Sequence, residues 1–483
     1  MAATETKQRF DMKIVHLCIM AIIILGFGYL PPFSSVTPFG MKAIGCFLGI
    51  IYGWVFINML WTALAVFILV PFTGLITADG LISTGFGNPI VMQVCFILML
   101  FATLSTTSIP LKLTNSLLGL KICQGRPWVF FCVLLFATWV VSFIAGGVVG
   151  LLMLYEILIS LCKNYGIERY SKSATFLFMG VLLADCLGQM CMPVKGMPLI
   201  LMAMYKAVDP TAVFPYGAYM IFSTIFTLFI CLLAILLMKY VFRVDLSMLE
   251  RIDTASFQGD TNKFTKKEKI IFTDNVLVLF FMVLQGSLPE SSLKTFLSMF
   301  GMIGICFVGM IALLMIKLEG KPITTVAEMA KGMSWDTLLS VAAMQPVLGF
   351  ISSDDAGIKA MLSDVLGPIV GGLSPFLFAM VCVIICGFLT NFLNNAACCL
   401  MFFPVIMIYA PELGLNAIGL VVLMIIISHV AFATPAASFY SLIAFGYTEW
   451  IQTNSFMKYA LLLLVPLMVV SSVAGYFLQM VFF

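Results

Sequence analysis

Charge is scarce in this sequence: Asp, Glu, Lys and Arg make up 10% of its 483 residues, where soluble domains carry about 25%. That scarcity excludes an ordinary soluble domain, and the single long polar stretch, 243–269, reads as a loop and not as a domain. Histidine is scarcer still, with His16 and His429 far apart. Without histidine clusters or acid-rich helical patterns there is no metal-ligand set and no nucleophile with its base, so the chain is not read as an enzyme and needs no resident metal or cofactor. An excess of one charge sign is missing as well: the net charge is +3, which gives no reason to expect nucleic acid as a partner. No small-residue cleavage site follows the first apolar run, which therefore reads as a retained helix and not as a signal peptide.

What is present is apolar sequence. Hydrophobic residues reach 62%, and many runs exceed the roughly 20 residues that cross a bilayer as a helix. The expected fold class is an all-α polytopic membrane protein. The 14 cysteines and 33 methionines are scattered through apolar segments, and they read as packing residues and not as a disulfide framework.

In chain order, the first half, 1–242, holds helices at 14–76, a span at 88–108, a long run at 127–161, another at 173–205 and a span at 217–242. Gly74 and an Asp79-Gly80 turn should end the third helix, and a mixed stretch around Lys112 and Lys121 could lie along the interface. After the loop at 243–269, the second half, 270–483, repeats the order. It has spans at 270–288, 294–317 and 335–352, a short stretch at 354–371, a long run at 374–411, an interrupted run at 417–448 and a last span at 456–482. Each half thus carries one over-long run, broken at Ala145-Gly146-Gly147 or at Asn394, followed by a helix broken at proline, Pro193 or Pro435. Such an internal repeat is the layout of transporters whose halves are related within the membrane. Reading the two long runs as re-entrant hairpins gathers most basic residues on the cytoplasmic side, as the positive-inside rule asks. The expectation is therefore about eleven spans plus two hairpins with an inverted second half, in the cell membrane, N-terminus cytoplasmic and C-terminus outside.

Polar groups at the breaks mark the candidate site. Asn391, Asn394 and Asn395 interrupt an apolar run, and an unpaired amide in hydrocarbon costs several kcal/mol, so they should face a cavity. Asn394 and Asn395 suit an anion; the alternative is an interhelical hydrogen-bond clamp. At Gly146-Gly147 a half-helix N-terminus would present bare N–H groups and its dipole to an anion, whereas close helix packing is the alternative use of a glycine pair.

The motifs Pro31-Pro32 to Gly40, Gly53-Trp54, Leu69-Val70-Pro71-Phe72-Thr73-Gly74, Gly87-Asn88-Pro89 and Thr390 to Pro404 follow one another in an order that spans nearly the whole chain. In that order the sequence resembles the divalent-anion:sodium symporter family of di- and tricarboxylate transporters. Asn394-Asn395-Ala396 stands where that family has its second Ser-Asn-Thr triplet, and Asn391 stands where it has an acid. The resemblance implies an elevator-type homodimer surrounded by lipid, with a small organic anion held by the hairpins. It places the anion at Ala145, Gly146, Gly147, Asn394, Asn395, Ala396, Thr434, Pro435 and Lys195, and a coupling cation, Na+ or H+, near Asn391, Asn394, Ala433 and Thr434.

Departures from the family are concentrated in the first half. Ala145-Gly146-Gly147 replaces the first triplet, and the first Thr-Pro loop reads Met192-Pro193-Val194-Lys195-Gly196-Met197-Pro198. Lys195 in the bilayer interior costs roughly 2.5–3.5 kcal/mol unless paired or wet. It stands either in the place of a sodium ion or in a salt bridge with Asp185. Exchange of anions or proton-linked uptake is favoured over plain sodium symport. His429, ahead of the second break, could titrate near neutral pH or be simply hydrogen-bonded. The rival readings are a cation:proton antiporter and a sulfate transporter on the same fold.

Overall fold

The computed structural model describes residues 12–193, 196–208, 214–257, 263–288, 291–358, 360–361, 364–365, 368 and 372–483. The described residues are mostly helical, with one two-stranded hairpin among them, β1 (Lys317–Leu318) and β2 (Lys321–Pro322). The first helices are α1 (Met12–Gly26), α2 (Pro38–Phe56), α3 (Met59–Leu69), α4 (Ala78–Phe86), α5 (Pro89–Ser105) and α6 (Ile109–Leu118). Then come α7 (Pro127–Ala145), α8 (Gly147–Asn164), α9 (Lys172–Gly188), α10 (Gly196–Val208) and α11 (Tyr216–Leu236). The second part has α12 (Lys266–Ser287), α13 (Ser292–Met315), α14 (Val326–Lys331), α15 (Trp335–Ser352), α16 (Pro375–Leu389), α17 (Asn395–Glu412), α18 (Ala417–Ser428), α19 (Phe439–Gly446) and α20 (Thr453–Phe482).

Among the described residues eight helices are long and apolar enough to cross a membrane, or nine if α4 and α5 form one broken span. The protein is an all-α polytopic membrane protein. The third helix, α3, stops at Leu69, ahead of the Gly74 expected to end it, because Pro71 tightens the chain into a 3-10 turn that Gly74 closes in the left-handed region. Asp79-Gly80 is not a turn but the first turn of α4: Thr77 accepts the Gly80 N–H at 3.1 Å and so starts a helix there. The stretch around Lys112 is itself helical, as α6. Much of 354–371 lies outside the described residues.

Two compact units emerge, and each draws on both halves of the sequence. One comprises the described parts of Met1–Val91, Ala203–Pro210 and Trp335–Gly372. Inside it, Gly45, Gly49 and Gly53 form a row along α2. A Cβ at Gly49 would lie 2.3 Å from Ile24 of α1 and one at Gly53 2.4 Å from Thr62 of α3, so both neighbours pack directly on the α2 backbone.

The other unit comprises Met92–Met202, Thr211–Ser334 and Leu373–Phe483 in their described parts. Its centre is α9, whose residues from Ala174 to Gly188 are all buried. Glycines let α7 approach: a Cβ at Gly188 would meet the Trp139 carbonyl oxygen at 2.3 Å, and one at Gly180 would meet the Phe131 ring at 2.6 Å. The cysteines are free, and all but Cys18, Cys95 and Cys132 are buried, as packing residues should be.

Candidate functional site

The apolar run around residue 145 is two helices, α7 and α8, packed against each other across Gly146. Gly146 has φ 86° and ψ 158°, a conformation essentially reserved for glycine, and a Cβ there would meet nothing within 4 Å among the described residues. No side chain caps α8, so its first-turn N–H groups are left for another acceptor. Gly147 behaves oppositely. A Cβ at this position would lie 2.5 Å from the Tyr440 ring, 2.9 Å from Asp185 Oδ2 and 3.0 Å from Gln189 Nε2.

Those neighbours form a polar cluster inside the unit. The Ser142 hydroxyl, on the last turn of α7, donates to Asp185 Oδ1, and both residues are fully buried. Tyr440 of α19 donates to Gln189 Oε1 at 2.7 Å. Asp185 Oδ2 and Gln189 Nε2 are buried and have no hydrogen-bond partner among the described residues. An orphan acceptor and an orphan donor therefore lie against the same hairpin tip, where each costs desolvation energy unless a ligand, ion or water meets it.

The second break is stitched more tightly. The Asn391 side chain donates to the carbonyls of Gly387 (3.0 Å) and Val430 (3.1 Å), and its Oδ1 accepts from the N–H groups of Phe432 (3.2 Å) and Ala433 (3.0 Å). The Thr434 hydroxyl donates to the Asn391 carbonyl. Asn394 caps α17, its Oδ1 accepting from Ala396 N (2.9 Å) and Ala397 N (3.3 Å). Asn395 differs: its Oδ1 is buried and has no partner among the described residues. His429 is buried, and its Nδ1 lies 3.0 Å from the Ile425 carbonyl oxygen and 3.2 Å from Ser428 Oγ. Beyond the break, Ser438 and Ser441 both donate to the Ala431 carbonyl, at 3.2 and 2.9 Å, folding the Thr434-Pro435 loop back on itself.

Of the expected site residues, Gly147 is thus joined to the 185–189 segment, and Asn391, Ala433 and Thr434 are joined to one another. Among the described residues no hydrogen bond links Asn394 or Asn395 to the Gly146-Gly147 tip. Lys195 lies outside the described residues. Ser142, Gln189 and Tyr440 were not singled out from sequence. For Gln189 the available signal was a lone amide in an apolar run; Tyr440 looks like any aromatic residue near a helix start.

A family model described as citrate transporter matches residues 47–428, a stretch that contains both hairpin tips and stops just before the 430–435 loop. Among solved structures, MtrF of Neisseria gonorrhoeae, described with a class of antimetabolite efflux pumps, superposes with a TM-score of 0.54 at 15% identity. That match covers 97% of this chain and 93% of MtrF, and it shows a shared fold. The YdaH transporter of Alcanivorax borkumensis gives a TM-score of 0.49 at 12% identity, covering 96% and 97% of the two chains. No curated protein matches the sequence. The family match agrees with the resemblance carried by the hairpin and loop motifs, and it makes the protein an integral membrane transporter and not an enzyme. The chain belongs to the citrate transporter family.

Proposed function

We propose that the protein is a secondary active transporter of small organic anions of the di- or tricarboxylate class, working in the cell membrane. The observation that carries this reading is the contrast between the two hairpin tips. The start of α17 is capped by Asn394, while α8 starts uncapped beside the open space at Gly146. An uncapped helix N-terminus offers N–H groups and a positive dipole end to a carboxylate. The Asn395 Oδ1, buried without a partner among the described residues, is an acceptor and suits a substrate hydroxyl or a protonated carboxyl. An elevator-like movement in a homodimer, with the N-terminus cytoplasmic, follows from the family resemblance and the charge distribution.

The coupling ion, Na+ or H+, is assigned to Asp185, whose Oδ2 is buried without a partner among the described residues, and not to Asn391, whose amide oxygen already accepts two N–H groups. The same acid favours a second reading, a cation:proton antiporter. Uptake of labelled citrate, succinate and sulfate into proteoliposomes, under a sodium gradient, a pH gradient or internal counter-substrate in turn, separates them. Carboxylate uptake under at least one condition is expected. No anion uptake, together with sodium movement driven by a pH gradient, would replace this reading with the antiporter. Lys195→Ala in the same assay tests whether that ammonium stands for a cation: unchanged ion dependence would leave it a structural role.

A further inference from the structure

A cavity of about 420 Å³ lies at the polar end of α5 and α12, apart from both hairpin tips. The last turn of α5, the first turns of α12 and the 323–332 segment close it. Gly332 lets that segment sit on α5, since a Cβ there would be 3.0 Å from the Ala102 Cβ.

Its lining combines two kinds of polar group. Lys267 and Lys331 both face the cavity, and neither ammonium has an ion pair or hydrogen bond among the described residues. The acid in the lining, Glu328, is held by the Thr325 N–H and the Thr324 hydroxyl, both donating to its Oε2 at 3.1 Å, and the two lysines against this one carboxylate leave the lining net positive. The hydroxyls of Thr106 and Thr107 donate back to their own helix, to the carbonyls of Thr103 (2.9 Å) and Leu104 (2.7 Å). The Thr106 oxygen therefore remains as an acceptor, and the Thr107 oxygen, which already takes the Ile109 N–H at 3.3 Å, keeps one lone pair. Two free cations call for an anion, and two acceptor oxygens call for hydroxyl groups on the same ligand. A phosphate ester of a polyol satisfies both, whereas a fully ionised sulfate, which has no proton to donate, satisfies only the first.

The surroundings point to a lipid as its source. Ile271 and Ile323 give the cavity an apolar floor. Farther along α12, Leu277 and Phe281 are exposed, as side chains that meet acyl chains would be. Basic pockets at the membrane–water boundary are where anionic headgroups bind. We propose that this cavity binds the headgroup of an anionic glycerophospholipid, its phosphate taken by Lys267 and Lys331 and its hydroxyls by Thr106 and Thr107.

Melting temperatures of the full-length protein in detergent, titrated with phosphatidylglycerol, phosphatidylcholine or glycerol 3-phosphate, test this. Phosphatidylglycerol should raise the melting temperature of the wild type and phosphatidylcholine should not. At about 1 kcal/mol per basic side chain, the apparent affinity for phosphatidylglycerol should fall about fivefold in K267Q or K331Q and about 25-fold in the double variant. The K267R/K331R variant should keep most of the response. Because both ammoniums are unpaired, the unliganded melting temperatures should match that of the wild type. An equal response of wild type and K267Q/K331Q to phosphatidylglycerol, or an equal response to phosphatidylcholine, overturns the proposal. A full shift by glycerol 3-phosphate at the concentration at which the lipid works would overturn the lipid as source and leave a soluble phosphate ester.

Discussion

The side-chain oxygen of Asn391 accepts the backbone N–H of Ala433 at 3.0 Å, fastening the tip of the second hairpin to the break that follows α18. A helix break inside a membrane protein leaves backbone groups that neither lipid nor an intact helix can satisfy. Here one amide meets several of them at once, accepting from Phe432 and Ala433 and donating to Gly387 and Val430.

Asn391→Ala should therefore unfold more easily. It strands two N–H groups and the Val430 carbonyl in a buried place, while the Gly387 carbonyl keeps the Thr390 hydroxyl at 2.8 Å; at about 1–3 kcal/mol for each orphaned buried group, partly relieved by relaxation, a loss of about 3 kcal/mol is expected. Asn391→Asp should not rescue it, because a carboxylate keeps the two acceptor contacts but turns negative charge toward the Gly387 and Val430 carbonyls. Thermal unfolding in detergent measures both, and melting temperatures equal to that of the wild type would show that the clamp is not needed.

The two tip glycines should fail for different reasons. Gly146→Ala forces a side chain into φ 86°, ψ 158° with open space around it, costing about 1–3 kcal/mol of backbone strain. Gly147→Ala has ordinary room in φ but meets the Tyr440 ring at 2.5 Å, so it must push apart the Asp185–Gln189–Tyr440 cluster. Gly349→Ala is the counter-case, exposed in α15 with nothing within 4 Å, and should stabilise by about 0.5–1 kcal/mol. Melting temperatures of the three variants rank the effects. A Gly147→Ala protein as stable and as active as the wild type would remove the packing role given to Gly147.

These positions show what could be read from sequence. A glycine pair in the middle of an over-long apolar run signals a break whatever the partners are, and the same holds for asparagines where lipid offers nothing. Hence both hairpin tips were legible. Which way each amide points was not. Asn391, Asn394 and Asn395 are neighbours in the same run, yet one fastens a neighbouring break, one caps its own helix, and one has an unpartnered oxygen. That division depends on the path of the 430–434 segment, which no local pattern encodes. The same is true of Tyr440, which meets Gln189 from 251 residues away. Asp79-Gly80 was misread because its residue types favour turns, although Thr77 two residues earlier carried the capping signal.

Acidification should weaken the contact between α6 and α12. Glu268, in the first turn of α12 ahead of its apolar part, accepts from Lys112 Nζ at 2.6 Å and from Thr265 N at 2.7 Å. Burial opposes its charged form, but the donors from Lys112 and Thr265 outweigh burial and hold the carboxyl below its ordinary value of 4.5. A value lower in the folded state than in the unfolded one means that the contribution to stability is complete above the unfolded value. It is lost as pH falls through the folded one. The melting temperature of the wild type should thus drop more between about pH 6 and about pH 3.5 than that of Glu268→Gln, which already lacks the ion pair. Parallel curves for the two proteins would show that this pair contributes nothing.

Asp185 provides the sharpest test of coupling, because its two oxygens have different surroundings. Oδ1 accepts from the Ser142 hydroxyl, while Oδ2 lies against Gly147 with no partner among the described residues. Asp185→Asn keeps the shape and can keep the Ser142 contact through its amide oxygen, but it cannot be charged. If the carboxylate takes up the coupling ion, the variant should still exchange internal for external anion. It should lose the acceleration that an imposed pH or sodium gradient gives the wild type. Ser142→Ala should leave the gradient response in place and cost about 1.5–3 kcal/mol of stability, because it takes the donor from a buried carboxylate oxygen. A purely structural Asp185 would give the reverse pattern, with Asp185→Asn lowering the melting temperature while the ratio of gradient-driven to exchange flux stays that of the wild type. The flux ratio is the quantity to measure, since loss of folded protein lowers both fluxes together and leaves their ratio untouched.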